Sequence, residues 1–233
     1  MEGNELFPVF IKLNTLHTLL VGAGPVGLEK LTALITNSPG AKITIVAVEV
    51  LPEVSEIANR SLNVEIIQKA FHEEDLDDVD LVFAATNNEA LNEQIRALTK
   101  EKRLLANFAD KPALCDFYLG SIVKKGDLKI GISTNGKSPT IAKRLKEILN
   151  VSLPEEINTS LQQMSKLRNR LEGDFTDKVI KLNKVTSILV EEEQNHPLSV
   201  RMVTKIKAKI TIKNALLSLV ILITMVSLCH ILI

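Results

Sequence analysis

Over the first hundred positions, short continuous apolar runs alternate with stripes of helical spacing. Residues 17–21 form such a run, ending at a glycine turn, and read as a strand buried on both faces. Residues 25–36 place Val26, Leu28, Leu31, Leu34 and Ile35 at helical spacing. A second strand is predicted over 42–47, rich in Ile, Thr and Val, followed by a short helix at 53–61 and a third strand at 64–67. Residues 80–84 and 104–107 read as fourth and fifth strands around a helix at 88–102. Alternation of strand and helix calls for a parallel sheet covered on both faces, an α/β fold of Rossmann type over residues 1–112.

After Asp110 the rhythm changes. Residues 121–124 and 128–133 flank Lys125-Gly126-Asp127, a turn-forming run, and predict a hairpin. The polar loop 134–137 leads into a helix over 139–149, with Pro139 in the first turn where a helix tolerates proline. Residues 154–171 and 174–193 read as amphipathic helices parted at Gly173, and helix resumes near Leu198. The expected organisation is a nucleotide-binding domain at 1–112, a small region at 113–150, a helical region at 151–213 and an apolar helix at 214–233.

Residues 215–233 carry no formal charge when His230 is neutral, and as a helix they are about 28 Å long, close to the hydrocarbon thickness of a bilayer. Arg201, Lys205, Lys207, Lys209 and Lys213 precede them with no acid among them. That asymmetry predicts a transmembrane anchor with the preceding domain in the cytoplasm. The competing reading is a helix buried in an oligomer core. The run 6–10 is too short for a signal peptide.

Composition narrows the partners. Lysine plus arginine equals aspartate plus glutamate at 28 each, and aromatics make up 3% with no Trp, which argues against a nucleic-acid partner. Cys115 and Cys229 have no metal-ligand spacing and read as free thiols of a reducing compartment. His17, His72, His196 and His230 form no pair at ligand spacing, so no resident metal is expected.

The turn Gly22-Ala23-Gly24-Pro25-Val26-Gly27 follows a predicted strand and opens a helix, the context in which such a pattern holds a dinucleotide. Gly22 permits the tight turn, Gly24 lets the backbone approach a pyrophosphate, and Gly27 allows helix and strand to pack. The helix start offers free N–H groups and a positive dipole end, with Pro25 supplying none itself. Val48 and Glu49 end the second strand, with Glu49 22 residues beyond Gly27. An acid there accepts hydrogen bonds from a ribose 2′-hydroxyl and repels a 2′-phosphate, favouring NAD; the alternative is a residue capping the next loop. Thr86 and Asn87 follow the fourth strand at the edge where ligands lie, with a plain turn as the alternative.

Several segments then resemble one family in order: Leu6-Phe7-Pro8-Val9-Phe10, the glycine turn, Ala84-Ala85-Thr86-Asn87-Asn88, Asn107-Phe108-Ala109-Asp110, Leu114-Cys115-Asp116-Phe117 and Ile132-Ser133-Thr134-Asn135-Gly136-Lys137-Ser138-Pro139. Over residues 5–170 the chain resembles precorrin-2 dehydrogenases, the sirohaem-synthase N-terminal family, some members of which are also sirohydrochlorin ferrochelatases. The resemblance implies oxidation of precorrin-2 to sirohydrochlorin with NAD, a homodimer built through region 113–150, and a catalytic role for Asp110. Its position just past the fifth strand agrees with that role, since a carboxylate there can take a proton. The alternative is a loop aspartate starting a turn before Pro112. Ser133, Thr134, Asn135, Gly136 and Lys137 are expected to close over substrate or cofactor, and Lys124, Lys125, Lys137, Lys143 and Arg144 are candidate partners for the substrate carboxylates. Cys115 is expected to pack rather than react. Asp110 would also take pyrrole protons if Fe2+ is inserted, a step the sequence leaves open.

The apolar tail departs from the family pattern and suggests anchoring of the enzyme to a membrane. Two other functions compete: a membrane-tethered NAD-binding regulatory domain, which leaves 107–139 unexplained, and a dehydrogenase of another small acid.

Overall fold

The computed structural model describes residues 3–186. The predicted tail helix, and the helical residues expected beyond 186, lie outside them. Among the described residues no helix is long and apolar enough to cross a membrane. The chain divides after Glu155 into two compact units.

The first unit is built on five parallel strands: β1 (His17–Ala23), β2 (Lys42–Val50), β3 (Val64–Gln68), β4 (Leu81–Ala84) and β5 (Leu105–Phe108), in the spatial order β3-β2-β1-β4-β5. Helices α1 (Pro25–Asn37), α2 (Pro52–Asn59) and α3 (Glu89–Glu101) make the crossovers. Successive side chains of each strand feed opposite faces, which is why the strands read as continuous apolar runs. Leu20, Ile43, Ile45, Leu81 and Phe83 pack with Leu31, Leu34 and Val54 on one face. Leu19, Val21, Val82, Ala84 and Ala106 pack with Ile95 on the other. Each fully buried Leu, Ile, Val or Phe among them contributes about 1.5–3 kcal/mol, so neither face survives exposure.

The strand boundaries differ from expectation by one to three residues, and one difference bears on the site. β2 continues to Val50, so Glu49 lies within the strand. The pairing of β1 with β2 shifts between Val21 and Ala23, and Ala23 then meets Val50. The irregularity made by the glycine turn thus extends its neighbour.

After β5 the chain forms the antiparallel pair β6 (Ser121–Lys125) and β7 (Leu128–Ile132), turning at Gly126 with φ +58°, then α4 (Pro139–Ser152). The predicted region 113–150 therefore belongs to the same compact unit as the nucleotide-binding domain. Lys124 Nζ donates to Thr36 O at 3.1 Å and Lys129 Nζ to Asn37 O at 2.5 Å. Both cap the carbonyl end of α1, where a cation also complements the helix dipole. The second unit contributes α5 (Ile157–Arg170) and α6, described over Phe175–Thr186. A left-handed Gly173, φ +115°, parts them.

Candidate active site

In the strand order, the chain winds outward from β1 to β3 on one side and from β4 to β5 on the other. The crevice between the carboxyl ends of β1 and β4 is where open α/β sheets bind ligands. A cleft of about 670 Å³ lies there. Gly22, Gly24, Pro25, Val26, Val48, Glu49, Thr86, Asn87 and Asp110 all line it. Gly27 does not.

The glycines divide the work. At Gly22, φ +100°, an added Cβ would stand 2.4 Å from Ala85 O. At Gly27 it would stand 2.3 Å from Gly22 O, so this residue lets α1 close on β1 from behind the turn. At Gly24 an added Cβ would meet nothing within 4 Å, and the backbone there borders open cleft. Gly24 is also the N-cap of α1, whose first N–H groups are free of helical partners. A strand-end turn with a bare backbone and a helix start fits a dinucleotide pyrophosphate.

On the β4 side, the Thr86 hydroxyl donates to Asn92 Oδ1 at 2.8 Å, and Asn92 Nδ2 donates to Thr86 O at 3.1 Å. Asn92 is buried on the core-facing side of α3 and holds the turn rigid. Asn88 caps α3, accepting from Leu91 N–H at 3.1 Å. Both residues line the cleft, and the sequence reading missed them as site residues. For Asn92 the signal was present: a polar side chain at the i, i+3, i+7 stripe shared with Ile95 and Thr99.

Asp110 is exposed, two residues past β5, in the left-handed region at φ +57°. Its loop is closed by side chains reaching back to β5. Asn107 Nδ2 donates to Phe117 O at 2.8 Å, and Phe108 N–H donates to Cys115 Sγ at 3.2 Å, which in turn donates to Phe108 O at 3.2 Å. Burial pushes the Cys115 thiol up, which keeps it a protonated packing group. Asp116 accepts Ala106 N–H at 3.0 Å and receives Arg96 bidentately at 2.6 and 2.7 Å. The Arg96 guanidinium holds the Asp116 carboxyl below its ordinary range.

Two lysines line the cleft, and both are ion-paired. Lys111, beside Asp110, bonds Glu89 at the start of α3. This bond holds the lysine above and the glutamate below their ordinary values. At the opposite end Lys69 pairs with Asp75 at 2.6 Å. None of these four was singled out in the sequence.

The loop 133–137 does not line the cleft. It follows β7 in the separate small sheet and is internally bonded. Thr134 Oγ1 accepts Ser138 N–H at 3.3 Å, Asn135 N–H donates to Ser133 Oγ at 3.2 Å, and Ser133 Oγ accepts from Asn4 at 3.2 Å. Asn135 and Gly136 are both left-handed. Three of the proposed carboxylate partners are engaged within the protein: Lys124 on α1, Lys125 with Glu155, and Arg144 with Glu147 at 2.7 Å. His17 is likewise occupied, its ring bonded to Asp78 O and Thr44 Oγ1 at 2.9 Å each. Among the described residues no group of three or more His, Cys, Asp or Glu could hold a metal ion.

Residues 9–121 match a family model described as "Putative NAD(P)-binding", and residues 125–152 match "Sirohaem biosynthesis protein central". The chain is 35% identical over 167 residues to a siroheme synthase of Baumannia cicadellinicola subsp. Homalodisca coagulata, covering 72% of this chain and 36% of that protein. A siroheme synthase of Thioalkalivibrio sulfidiphilus is 33% identical over 150 residues, 64% of this chain and 30% of that one. The chain thus spans about a third of the length of these relatives. Among solved structures, SirC, a precorrin-2 dehydrogenase, superposes with a TM-score of 0.63 at 27% identity, over 77% of this chain and 89% of its own. The NAD(P)-binding match, the central-region match after it and the relatives spanning both agree, and the chain belongs to the sirohaem synthase N-terminal (precorrin-2 dehydrogenase) family.

Proposed function

We propose that this chain oxidises precorrin-2 to sirohydrochlorin in sirohaem biosynthesis, with NAD as its cofactor. The observation that carries the reading is one cleft that gathers the glycine turn, Glu49 and Asp110 in a chain of this family. Gly22, Gly24 and the start of α1 would hold the pyrophosphate, Glu49 the adenosine ribose, and the Thr86–Asn87 turn the nicotinamide half. When bound, NAD supplies the hydride acceptor. The reaction also releases a proton, and Asp110 would take it on its carboxylate. Asp110 has a left-handed backbone and lines the cleft two residues past β5. Anaerobic incubation with precorrin-2 and NAD, followed by sirohydrochlorin absorbance, tests the reading. Wild type turns over, Asp110→Asn loses at least about a hundredfold in kcat, and absence of wild-type turnover refutes the assignment.

The same carboxylate can accept pyrrole protons during iron insertion, with Fe2+ as substrate; adding Fe2+ and following sirohaem absorbance reads that step. A homodimer is supported by Ile141, Leu145, Ile148 and Val151, which line one side of α4 and remain exposed. Attachment to a bilayer is supported by the uncharged run 215–233 behind its lysines. Deleting residues from Asn214 onward is expected to release the protein from membranes, and a full-length protein soluble without detergent refutes the anchor.

A further inference from the structure

The cleft has an unequal pair of ends. Asp110 and Lys111 stand at the β5 end, and Glu49, Lys69 and Phe71 at the β2–β3 end. With the pyrophosphate at the glycine turn between them, the adenosine ribose falls at the β2–β3 end. There β2 and β3 are in register at Ala47 and Gln68, and Gln68 Nε2 donates to Val48 O at 3.0 Å. Glu49 and Lys69 therefore sit at adjoining strand ends, an acid and a base lining the same end of the cleft.

A lysine at that position is what a ribose 2′-phosphate would pair with. Here the lysine is already taken. Asp75 Oδ1 holds Lys69 Nζ at 2.6 Å, and Asp75 Oδ2 accepts His72 N–H at 2.8 Å. The Asp75 side chain is 8% exposed, and the short turn that carries it is pinned by Leu76 in the core. The carboxylate is thus a fixed part of the fold, and the lysine, 39% exposed, reaches to it from the cleft.

We propose that Asp75 is a specificity-determining residue: by binding Lys69 it denies a cation to a 2′-phosphate, and so acts with Glu49 to select NADH over NADPH. The inference rests on the reading of Glu49 as the ribose contact. Glu49 supplies the repulsion and Asp75 removes the attraction. Two devices are needed because an acid alone, beside an unpaired lysine, would be partly neutralised by it.

The test is binding of NADH and NADPH to the full-length protein, read from nicotinamide fluorescence; the chain has no Trp to confuse the signal. Asp75→Asn keeps an oxygen for His72 N–H and removes the charge that holds Lys69. It is expected to tighten NADPH about fivefold, the size of one surface ion pair, with NADH changed less than twofold. Adding Lys69→Met to that variant abolishes the gain. Asp75→Ser is a second route to the same release should the asparagine variant not fold. If wild type prefers NADH and neither Asp75 variant shifts the preference, the inference falls alone. If the gain survives loss of Lys69, it falls as well. If wild type binds NADPH as tightly as NADH, or binds neither, the ribose reading fails and takes the inference with it.

Discussion

Alanine at Gly24 and alanine at Gly27 are chemically the same change three residues apart, and the structure assigns them opposite consequences. At Gly24 the backbone is at φ −80° and ψ −165°, a region alanine adopts freely, and the new Cβ meets nothing within 4 Å. Stability is expected to be unchanged or to rise by about 0.4–1 kcal/mol, because the unfolded chain loses freedom. The methyl would occupy the open space that a pyrophosphate must enter, so NADH affinity should fall at least about tenfold, or ~1.4 kcal/mol. At Gly27 the new Cβ would lie 2.3 Å from Gly22 O, whereas a tolerable carbon–oxygen contact is about 3.3 Å. Closing that gap requires α1 to back away from β1 by about 1 Å, and overpacking of this kind costs about 1–3 kcal/mol. Gly22 O is backbone and the Cβ position is fixed by its own backbone, so no side-chain rotation relieves the clash. Urea unfolding followed by far-ultraviolet circular dichroism, beside NADH titration, separates the two. A Gly24→Ala protein that unfolds as early as Gly27→Ala, or that binds NADH as wild type does, refutes the division of labour.

Three further outcomes follow from single contacts. Asp116→Ala strands the Ala106 N–H, which is 0% exposed, and should cost about 1–3 kcal/mol at pH 7. Because Arg96 depresses the Asp116 carboxyl in the folded protein, its stabilisation is present above about pH 4 and lost as pH falls through the depressed value. The gap between wild type and variant in urea should therefore shrink on acidification, and a gap constant down to pH 2 counts against the ion pair. Asn92→Leu leaves the Thr86 carbonyl without its partner and the Thr86 hydroxyl with Asn88 alone, so it should lower stability by about 1–3 kcal/mol and weaken NADH binding; unchanged NADH affinity would mean the β4 turn does not touch cofactor. Ile148→Glu on α4 should shift the protein to monomer in light scattering, with circular dichroism unaltered. A variant as dimeric as wild type moves the interface elsewhere.

Much of the glycine-turn side of the cleft was legible because its determinants are local. A glycine turn, the strand before it and the helix after it are contiguous in sequence, and each declares itself through period and residue type. The position of Asp110 past the fifth strand was legible for the same reason. The ion pairs were not, because Lys69–Asp75 is set by a short turn and Lys111–Glu89 spans two strand ends that meet only in the folded sheet. Lys124 looked like a surface charge for substrate and is a helix cap. Nothing in a sequence announces that residue 124 will stand over the carbonyl of residue 36.

Sequence alone determined the α/β class, the alternation of buried strands, the glycine turn and the carboxylate beyond β5. Each of these follows from side-chain period or from the stereochemistry of a few adjacent residues. Tertiary structure decided what faces what. It placed Gly27 behind the turn and Gly24 before the opening, kept loop 133–137 out of the cleft, and tied both cleft lysines to acids. Those outcomes depend on the strand order β3-β2-β1-β4-β5, which brings distant chain ends to one edge, and pairings across that edge carry no periodic signal along the chain.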